Sequence, residues 1–549
     1  MAKNQPFNPF GKWSILVIMC TAIFIIVFDS TAMSVAIKNL VQDLNTDIAT
    51  IRNIMSVYTL VMAALLMGGA KMGDIWGIKR AFLVGMALFG LGAFLASISQ
   101  NAEMLLAGWA IIEGMGAAIM LPATMVFLTE AYSGKDRAMA FAVYAGIMAV
   151  AAAIGPILGG FITTFFSWRW IFGGELILIF IILLFSYVIK TYKTALKKIT
   201  FDYVGLLLSA SSLSIILFSI LTASNYGWLY AEEPFEAGGV QITLGQFSIV
   251  PALMIFGILL FYVFKKWCDR RKHQKKTPLL DFGLFENKTF LYGTITNGTV
   301  NMAMLGIMFI FPVYLQLSLN KTAFETGIIM VPLTVSIFVF SLLAGRISHR
   351  FNKKHLIITG ILIAIAGFVY MADMFSGTGL VTGNGLFLPF VLVGAGIGFV
   401  IAILTNLTIS AVKKTQQVEG SGVINSFRNL GSSMGTAIMG TVLILFFLAS
   451  IEAQIADVEP PGGLSQSEFS EHLKDFALAM KQDHSQLDTS AYSQEELDEF
   501  ETIIGHSVLY GMKGAIIAII IVLAVTLLFS LLIPKQKPKS KESSSVPMP

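Results

Sequence analysis

Residues 14–37 read SILVIMCTAIFIIVFDSTAMSVAI, an apolar run broken by a single acid, Asp29. A helix needs about 20 mostly apolar residues to cross the hydrocarbon core of a bilayer. This run is longer than a signal-peptide core and no clear small-residue cleavage site follows it, so it reads as a retained span. Thirteen more runs of the same kind follow, near 52–72, 80–100, 103–128, 138–164, 169–189, 202–223, 246–266, 289–317, 325–345, 355–374, 385–411, 421–447 and 506–533. They are continuous rather than alternating, which indicates helices and excludes a β-barrel. Composition agrees. Of 549 residues, 56% are hydrophobic and only 13% charged, against about 25% charged in soluble domains. Low charge and 43 Phe exclude disorder, and two cysteines, Cys20 and Cys268, give no disulfide framework. The expected fold class is an all-α polytopic membrane protein.

The positions of Lys and Arg set the orientation. With the N-terminus in the cytoplasm, 29 of the 37 basic residues fall on the cytoplasmic side, concentrated at 190–198, 265–288, 346–354 and 535–541. Only Lys38, Arg52, Arg169, Lys321, Lys474 and Lys481 fall outside, and Arg428 and Lys513 lie within spans. A wrong span count would scramble this alternation. Both termini are therefore placed in the cytoplasm of a multi-pass protein of the inner or plasma membrane.

Fourteen spans divide as six, two and six. Residues 1–198 form an N-terminal six-helix bundle, 199–288 two inserted spans with a basic cytoplasmic loop, 289–533 a C-terminal six-helix bundle, and 534–549 a disordered basic cytoplasmic tail. The segment Gly68–Arg80, GGAKMGDIWGIKR, has a partner in GRISHRFNKK at 345–354. Each follows the second span of its half, the weak internal symmetry of carriers built from repeats. Segment 448–505 is polar and external, with thirteen acids against Lys474 and Lys481, and 467–481 suits a short amphipathic helix. It reads either as a solvated loop or as an electrostatic lure for cations.

Further motifs lie in and between the spans. Gly155-Pro156-Ile157-Leu158-Gly159-Gly160 sits inside span five, where Pro removes a backbone hydrogen bond and Gly permits close helix approach. Asp74, Gly77, Lys79 and Arg80 supply Asp-x-x-Gly-x-Lys-Arg after span two. Gly114-Met115-Gly116 lies in span four, Trp168-Arg169-Trp170 opens span six, and Phe28-Asp29-Ser30-Thr31 closes the first run. Gly420-Ser421-Gly422 with Asn425, Arg428, Gly431 and Gly435 marks span thirteen, and Phe201-Asp202-Tyr203-Val204-Gly205 opens the first inserted span. On these residues the chain resembles the major facilitator superfamily, and more narrowly its fourteen-span drug:proton antiporter branch of the EmrB/QacA type, over roughly residues 12–447. The resemblance implies two six-helix bundles rocking about a central site. It also implies that Asp74, at the cytoplasmic start of span thirteen near Ser421, latches the halves together, with Lys79 and Arg137 as additional latch partners. Gating roles for Gly77, Arg80, Gly155, Pro156, Gly159, Gly160 and Arg428 come from the same likeness.

The chain departs from the branch at informative positions. Where span four usually carries an Arg followed by Gln-Gly, it has Ala110, Glu113 and Gly114; Glu175 replaces an Asn in span six; and Ile75, His349 and Asn352 replace an Arg, an Asp and a Gly. Acids inside a span are costly and usually functional. Asp29 and Glu113 lie about 12 and 15 Å from the outer ends of their helices at 1.5 Å per residue, so the two share a depth. In the resembled fold both helices line the central cavity. Asp29 and Glu113 also admit structural readings, Glu113 by pairing with Arg169. Glu175, near a helix start, suits an interfacial role as well as proton coupling. Asn297, Asn301, Met302, Met304 and Asn406 are candidates to face the cavity.

The expected function is secondary active transport: export of amphipathic or cationic compounds in exchange for protons carried by Asp29, Glu113 and Glu175. The partners are then small amphipathic substrates, protons and the lipid bilayer, with no nucleic acid. A lipid or glycolipid exporter on the same scaffold is the alternative, and a non-transporting sensor a more distant one. No phosphate-binding Gly-rich loop points to ATP, no His/Cys cluster points to a metal, and no nucleophile–base pair points to an enzyme. No cofactor is expected.

Overall fold

The computed structural model describes residues 11–534 except 47, 190–200, 232–233, 238–239, 243–244, 320, 378–380, 458–464 and 466–493. The expected fourteen spans are present as helices long and apolar enough to cross a membrane. In the N-terminal half they are α1 (Ser14–Ala32), α2 (Ile48–Trp76), α3 (Ile78–Ser97), α4 (Ala102–Ala131), α5 (Gly134–Phe165) and α6 (Arg169–Leu184). The inserted pair is α7 (Tyr203–Tyr226) and α8 (Ile249–His273), and the C-terminal half holds α9 (Lys288–Leu317), α10 (Ala323–Ile347), α11 (Lys353–Met374), α12 (Phe387–Ser410), α13 (Gln417–Asp457) and α14 (Gln494–Leu532). Between α7 and α8 a short antiparallel ribbon pairs β1 (Phe235–Ala237) with β2 (Val240–Ile242).

The helix starts follow from local chemistry. Side chains of Asn101, Asp202, Ser248, Asn287 and Asn352 accept hydrogen bonds from the first free N–H groups of α4, α7, α8, α9 and α11. Thr322 and Glu325 close a reciprocal capping box on α10. The break between α2 and α3 is one residue wide, because Gly77 adopts φ +85°, a backbone conformation that residues with a side chain rarely adopt.

The repeat hinted at by the two cytoplasmic segments is visible in the packing. In the N-terminal half α1 packs on α5, α2 and α3 on α4, and α3 on α6; in the C-terminal half α9 packs on α13, α10 and α11 on α12, and α11 on α14. Across the seam α5 packs on α10 and α12, and α13 on α2 and α4. The insertion is not peripheral to this arrangement. Helix α7 lies against both α2 and α13. Its Leu206 reaches Gly68 of α2, and beyond its C-terminus Trp228 donates to Thr441 Oγ1 of α13 at 2.9 Å.

Two boundaries differ from the sequence reading. Residues 448–457 and 494–505, read as loop, continue α13 and α14. The helices outrun their apolar windows because Ile451, Phe500, Ile503 and Ile504 remain buried, with Gln454 donating to Ser507 Oγ at 2.9 Å across the pair. The expected helix at 467–481, the Lys-rich loop 190–198 and the tail from 535 lie outside the described residues.

Asp202 fastens the inserted pair. It is buried, and its carboxylate accepts from Gly205 N at 2.9 Å, Trp267 Nε1 at 3.0 Å and Leu279 N at 3.1 Å, with Arg271 Nε at 3.4 Å. One side chain thus joins α7, α8 and the strand of chain leading to α9. Removing one member of a buried ion pair strands its partners, at about 3 kcal/mol for a pair that keeps some water. Asp202→Ala is expected to lower the unfolding midpoint of the purified protein by several degrees in a fluorescence-monitored melt. An unchanged midpoint would show that the pair contributes nothing to stability.

Candidate functional site

The structure brings Asp29 of α1, Glu113 of α4 and Glu175 of α6 to one point. One carboxylate oxygen from each lies within 4.8 Å of the others. Relative exposures are 0%, 0% and 1%, so the cluster is sealed from water in this conformation. The interfacial reading of Glu175 is thereby corrected: its position just inside α6 is covered by the packing of α6 on α1 and α3. Glu113 does not pair with Arg169. That guanidinium instead bonds Asp43 Oδ2 at 3.0 Å and Ser99 O at 2.8 Å and stacks on Trp168.

The surrounding wall is aromatic. Trp109 donates its indole N–H to Asp29 Oδ2 at 2.8 Å. Its ring stacks on Tyr58 at 5.3 Å and meets Phe172 edge-on at 6.2 Å. Phe28, Tyr58, Trp109, Trp168 and Phe172 share a separate hydrophobic cluster at this level of the N-terminal half. Asp29 Oδ1, both oxygens of Glu113, both oxygens of Glu175 and the Tyr58 hydroxyl have no hydrogen-bond partner of good geometry. Among the described residues no Lys, Arg or His faces the three acids. At an effective dielectric of ~20, two unit charges 4.8 Å apart repel by about 3 kcal/mol. Three ionised carboxylates in this pocket therefore require positive charge brought in from outside.

Local backbone structure sets this geometry. Residues Leu106–Glu113 of α4 are wound as a π-helix ending at Glu113, a form frequent at functional sites. Helix α3 approaches closely at Gly92, where a Cβ would lie 2.5 Å from Glu113 N and 2.6 Å from its Cβ. On the other side α5 closes on α1. A Cβ on Gly155 would strike Thr31 Oγ1, and one on Gly159 would come within 2.9 Å of Ala32 Cα. The Gly-Pro-Ile-Leu-Gly-Gly motif thus packs on α1 beside Asp29. Pro156 lies inside α5.

The expected latch residues gather at the cytoplasmic end with altered partners. Asp74 is buried at the α2–α13 crossing, and its ion pair is with Lys71 of its own helix at 3.6 Å. Ser421 donates instead to Pro122 O of α4 at 3.1 Å. Lys71 is itself buried and acts electrostatically on Glu419 at the start of α13, so the charged link between halves passes through Lys71, which the sequence did not single out. Lys79 donates to Ile189 O at 2.7 Å within its own half, and Arg80 is exposed. Arg137 bonds Tyr132 O and Thr129 O in its own half and reaches Ser410 Oγ at 3.5 Å. Arg428 crosses to α5, with Nη2 3.1 Å from Met148 Sδ. Thr129 donates to Gln417 Oε1, and Lys414 pairs with Glu130 at 3.7 Å. The polar contacts between halves thus collect on the cytoplasmic side.

The polar residues expected to face the cavity are engaged elsewhere. Asn297 receives Thr405 Oγ1 at 3.1 Å and donates to Gly293 O at 2.9 Å. Asn301 donates to Asn297 O, and Asn406 accepts from Ser410. Met302 and Met304 are buried.

The family model described as Major Facilitator Superfamily matches residues 19–436. The chain belongs to the major facilitator superfamily. It is a multi-pass membrane transporter rather than an enzyme. Among curated relatives it is similar to the multidrug efflux pump LfrA of Mycolicibacterium smegmatis, 25% identical over 81% of this chain and 83% of that protein. It is also similar to the multidrug transporter protein MdtP of Bacillus subtilis, 25% identical over 84% and 85%, and to the riboflavin transporter RibZ of Clostridioides difficile, 25% identical over 80% and 89%. Among solved structures the fold is shared with the proton:xylose symporter XylE, with TM-score 0.55 and 12% identity over 97% of this chain and 98% of that one.

Gly92→Ala should force α3 from α4 at Glu113, costing about 1–3 kcal/mol of overpacking and depressing transport. Gly174→Ala, whose Cβ would meet nothing within 4 Å, should do neither. Melting and efflux assays on the two variants check this, and equal behaviour would remove the close approach as a constraint on the site.

Proposed function

We propose that this transporter exports amphipathic, cationic compounds across the plasma membrane in exchange for protons, with Asp29, Glu113 and Glu175 as the exchange site. The observation that carries the reading is three buried carboxyls at one point, with no facing base among the described residues. Such a site must be neutralised by what it binds. In an inward-facing state it gives up protons and attracts a cationic substrate; facing outward, it takes protons again and the substrate loses its counter-charge. Gly155 and Gly159 let α5 slide against α1 beside Asp29. Lys71, Asp74 and Glu419, with Arg428 on Met148, hold the cytoplasmic side shut between openings. Relatives named as multidrug pumps support the substrate class.

Cells lacking their own pumps and expressing this chain are expected to extrude a cationic dye, and a protonophore should abolish the extrusion. Asp29→Asn and Glu113→Gln should each slow it by about tenfold or more, equivalent to ~1.4 kcal/mol in the barrier. Glu175→Gln should act in the same direction. Undiminished efflux in all three would sink the exchange-site assignment and leave the fold untouched.

A separate expectation concerns the latch. Lys71→Met leaves Asp74 and Glu419 as like charges at one crossing, so it should shift the population toward the cytoplasm-open state. Cysteine pairs across the α2–α13 cytoplasmic contact should then cross-link more slowly than in the parent. Unchanged cross-linking would show that Lys71 does not hold the seam.

A further inference from the structure

The acid cluster has a property that proton exchange does not use. Six buried oxygens of the cluster and its wall lack a hydrogen-bond partner of good geometry: Asp29 Oδ1, the two of Glu113, the two of Glu175 and the hydroxyl of Tyr58. Tyr58 is a neutral donor from a helix that carries none of the three acids. It comes from α2, is 2% exposed, and its hydroxyl lies beside the Asp29 carboxyl, within electrostatic reach of Glu113 and Glu175. A buried hydroxyl normally finds a partner, and an orphan in a native site calls for an explanation such as an ion.

Size narrows the candidates. Three atoms no more than 4.8 Å apart leave a point within about 2.8 Å of all three. Ca2+ takes oxygen ligands at roughly 2.3–2.6 Å, whereas Mg2+ demands 2.0–2.1 Å in near-ideal octahedral geometry. Na+ has nearly the radius of Ca2+. An all-oxygen donor set disfavours the soft metals that seek thiolate and imidazole. The acids are far apart in sequence and contain no metal-ligand spacing, which is why the sequence alone pointed to none.

We propose that Asp29, Glu113, Glu175 and Tyr58 form a site for a hard metal cation of the size of Na+ or Ca2+, which the transporter exchanges at the same place as protons. The inference rests on the reading of this cluster as the exchange site and adds the class of ion it accepts. Carboxylates supply the charge, and the Tyr58 hydroxyl supplies a neutral fourth donor. Trp109, bonded to Asp29, holds that ligand's orientation, as outer-shell partners commonly do.

The test is equilibrium binding of radiolabelled Na+ and, separately, radiolabelled Ca2+ to the purified full-length protein at constant ionic strength in choline chloride. One of the two ions should bind saturably and be displaced by the same unlabelled metal, with Mg2+ a far weaker competitor. Tyr58→Phe should weaken binding by about tenfold, the usual scale for losing a supporting partner, and Glu175→Gln by at least as much. Should Glu175→Gln fail to fold, Tyr58→Phe still decides. Absence of saturable binding of both ions, or binding that neither substitution weakens, overturns the cation site. Protonophore-sensitive efflux is measured on the same protein. If it persists without metal binding, the cation site falls and proton exchange stands; if metal binds while a protonophore leaves efflux intact, proton exchange falls and the cation site stands.

Discussion

Three carboxyls buried together inside a membrane-spanning bundle, with no base to pair them among the described residues, are the constraint on which this structure depends. Lipid-facing helices need nothing but apolar side chains, and most of this chain consists of such side chains. Placing Asp29, Glu113 and Glu175 at one point works against that simplicity, since each charged form loses its hydration and repels the others. Packing excludes water from the point, and Trp109 donates a hydrogen bond to Asp29. The pocket cannot be left fully charged and empty, so the acids must hold protons or face another cation.

The repeat architecture supplies the rigidity this requires. Small residues set how closely the helices come: Gly92 and Gly108 seat α3 on α4, and Gly155 and Gly159 seat α5 on α1. In a bilayer, where no hydrophobic effect draws helices together, such close approach is a main source of packing energy. The C-terminal half uses the same device, with Gly431 against Gly298 and Gly435 against Met302 where α13 meets α9. The equivalent space in that half carries no acid cluster among the described residues. Asn297, Thr405 and Thr408 form a closed hydrogen-bonded set there instead. One half is thus electrostatically live and the other neutral, although the helices pair alike.

Much of this was legible in the sequence. Lys and Arg are too costly to leave in lipid, so their alternation between loops fixed the topology before any contact was known. Asp29 and Glu113 stood out for the same reason, and their depths already matched. Glu175 was harder, since six residues from a helix start is compatible with water, and only the seating of α6 against α1 and α3 removes it. Tyr58 and Trp109 were hidden. In a chain with 14 Tyr and 7 Trp an aromatic residue in a span carries no mark of its neighbours. Lys71 is equally hidden, because a loop-edge lysine gives no sign that it will be buried near two acids from different helices.

The position of α5 ties the acid cluster to the seam. It touches α1 through Gly155 and Gly159, two to three residues from Asp29, and on its other side it packs along α10 of the opposite half. Between those contacts, Ser341 of α10 donates to Ala142 O at 3.0 Å, Gly146 leaves room for Phe338, and Ile157 fills the space beside Gly327. A change in volume or charge at Asp29 that moves α1 by a fraction of an ångström is felt by α5, since neither glycine leaves room for even a Cβ between the two helices. Closely packed elements of this kind shift between discrete arrangements rather than deforming smoothly. At the cytoplasmic end the same seam is held by Lys71, which pairs with Asp74 and acts on Glu419 with little water to screen it. If the cluster is the exchange site proposed above, an ion entering a sealed pocket in the outer part of one half would in this way bear on whether the inner side of the whole molecule stays shut.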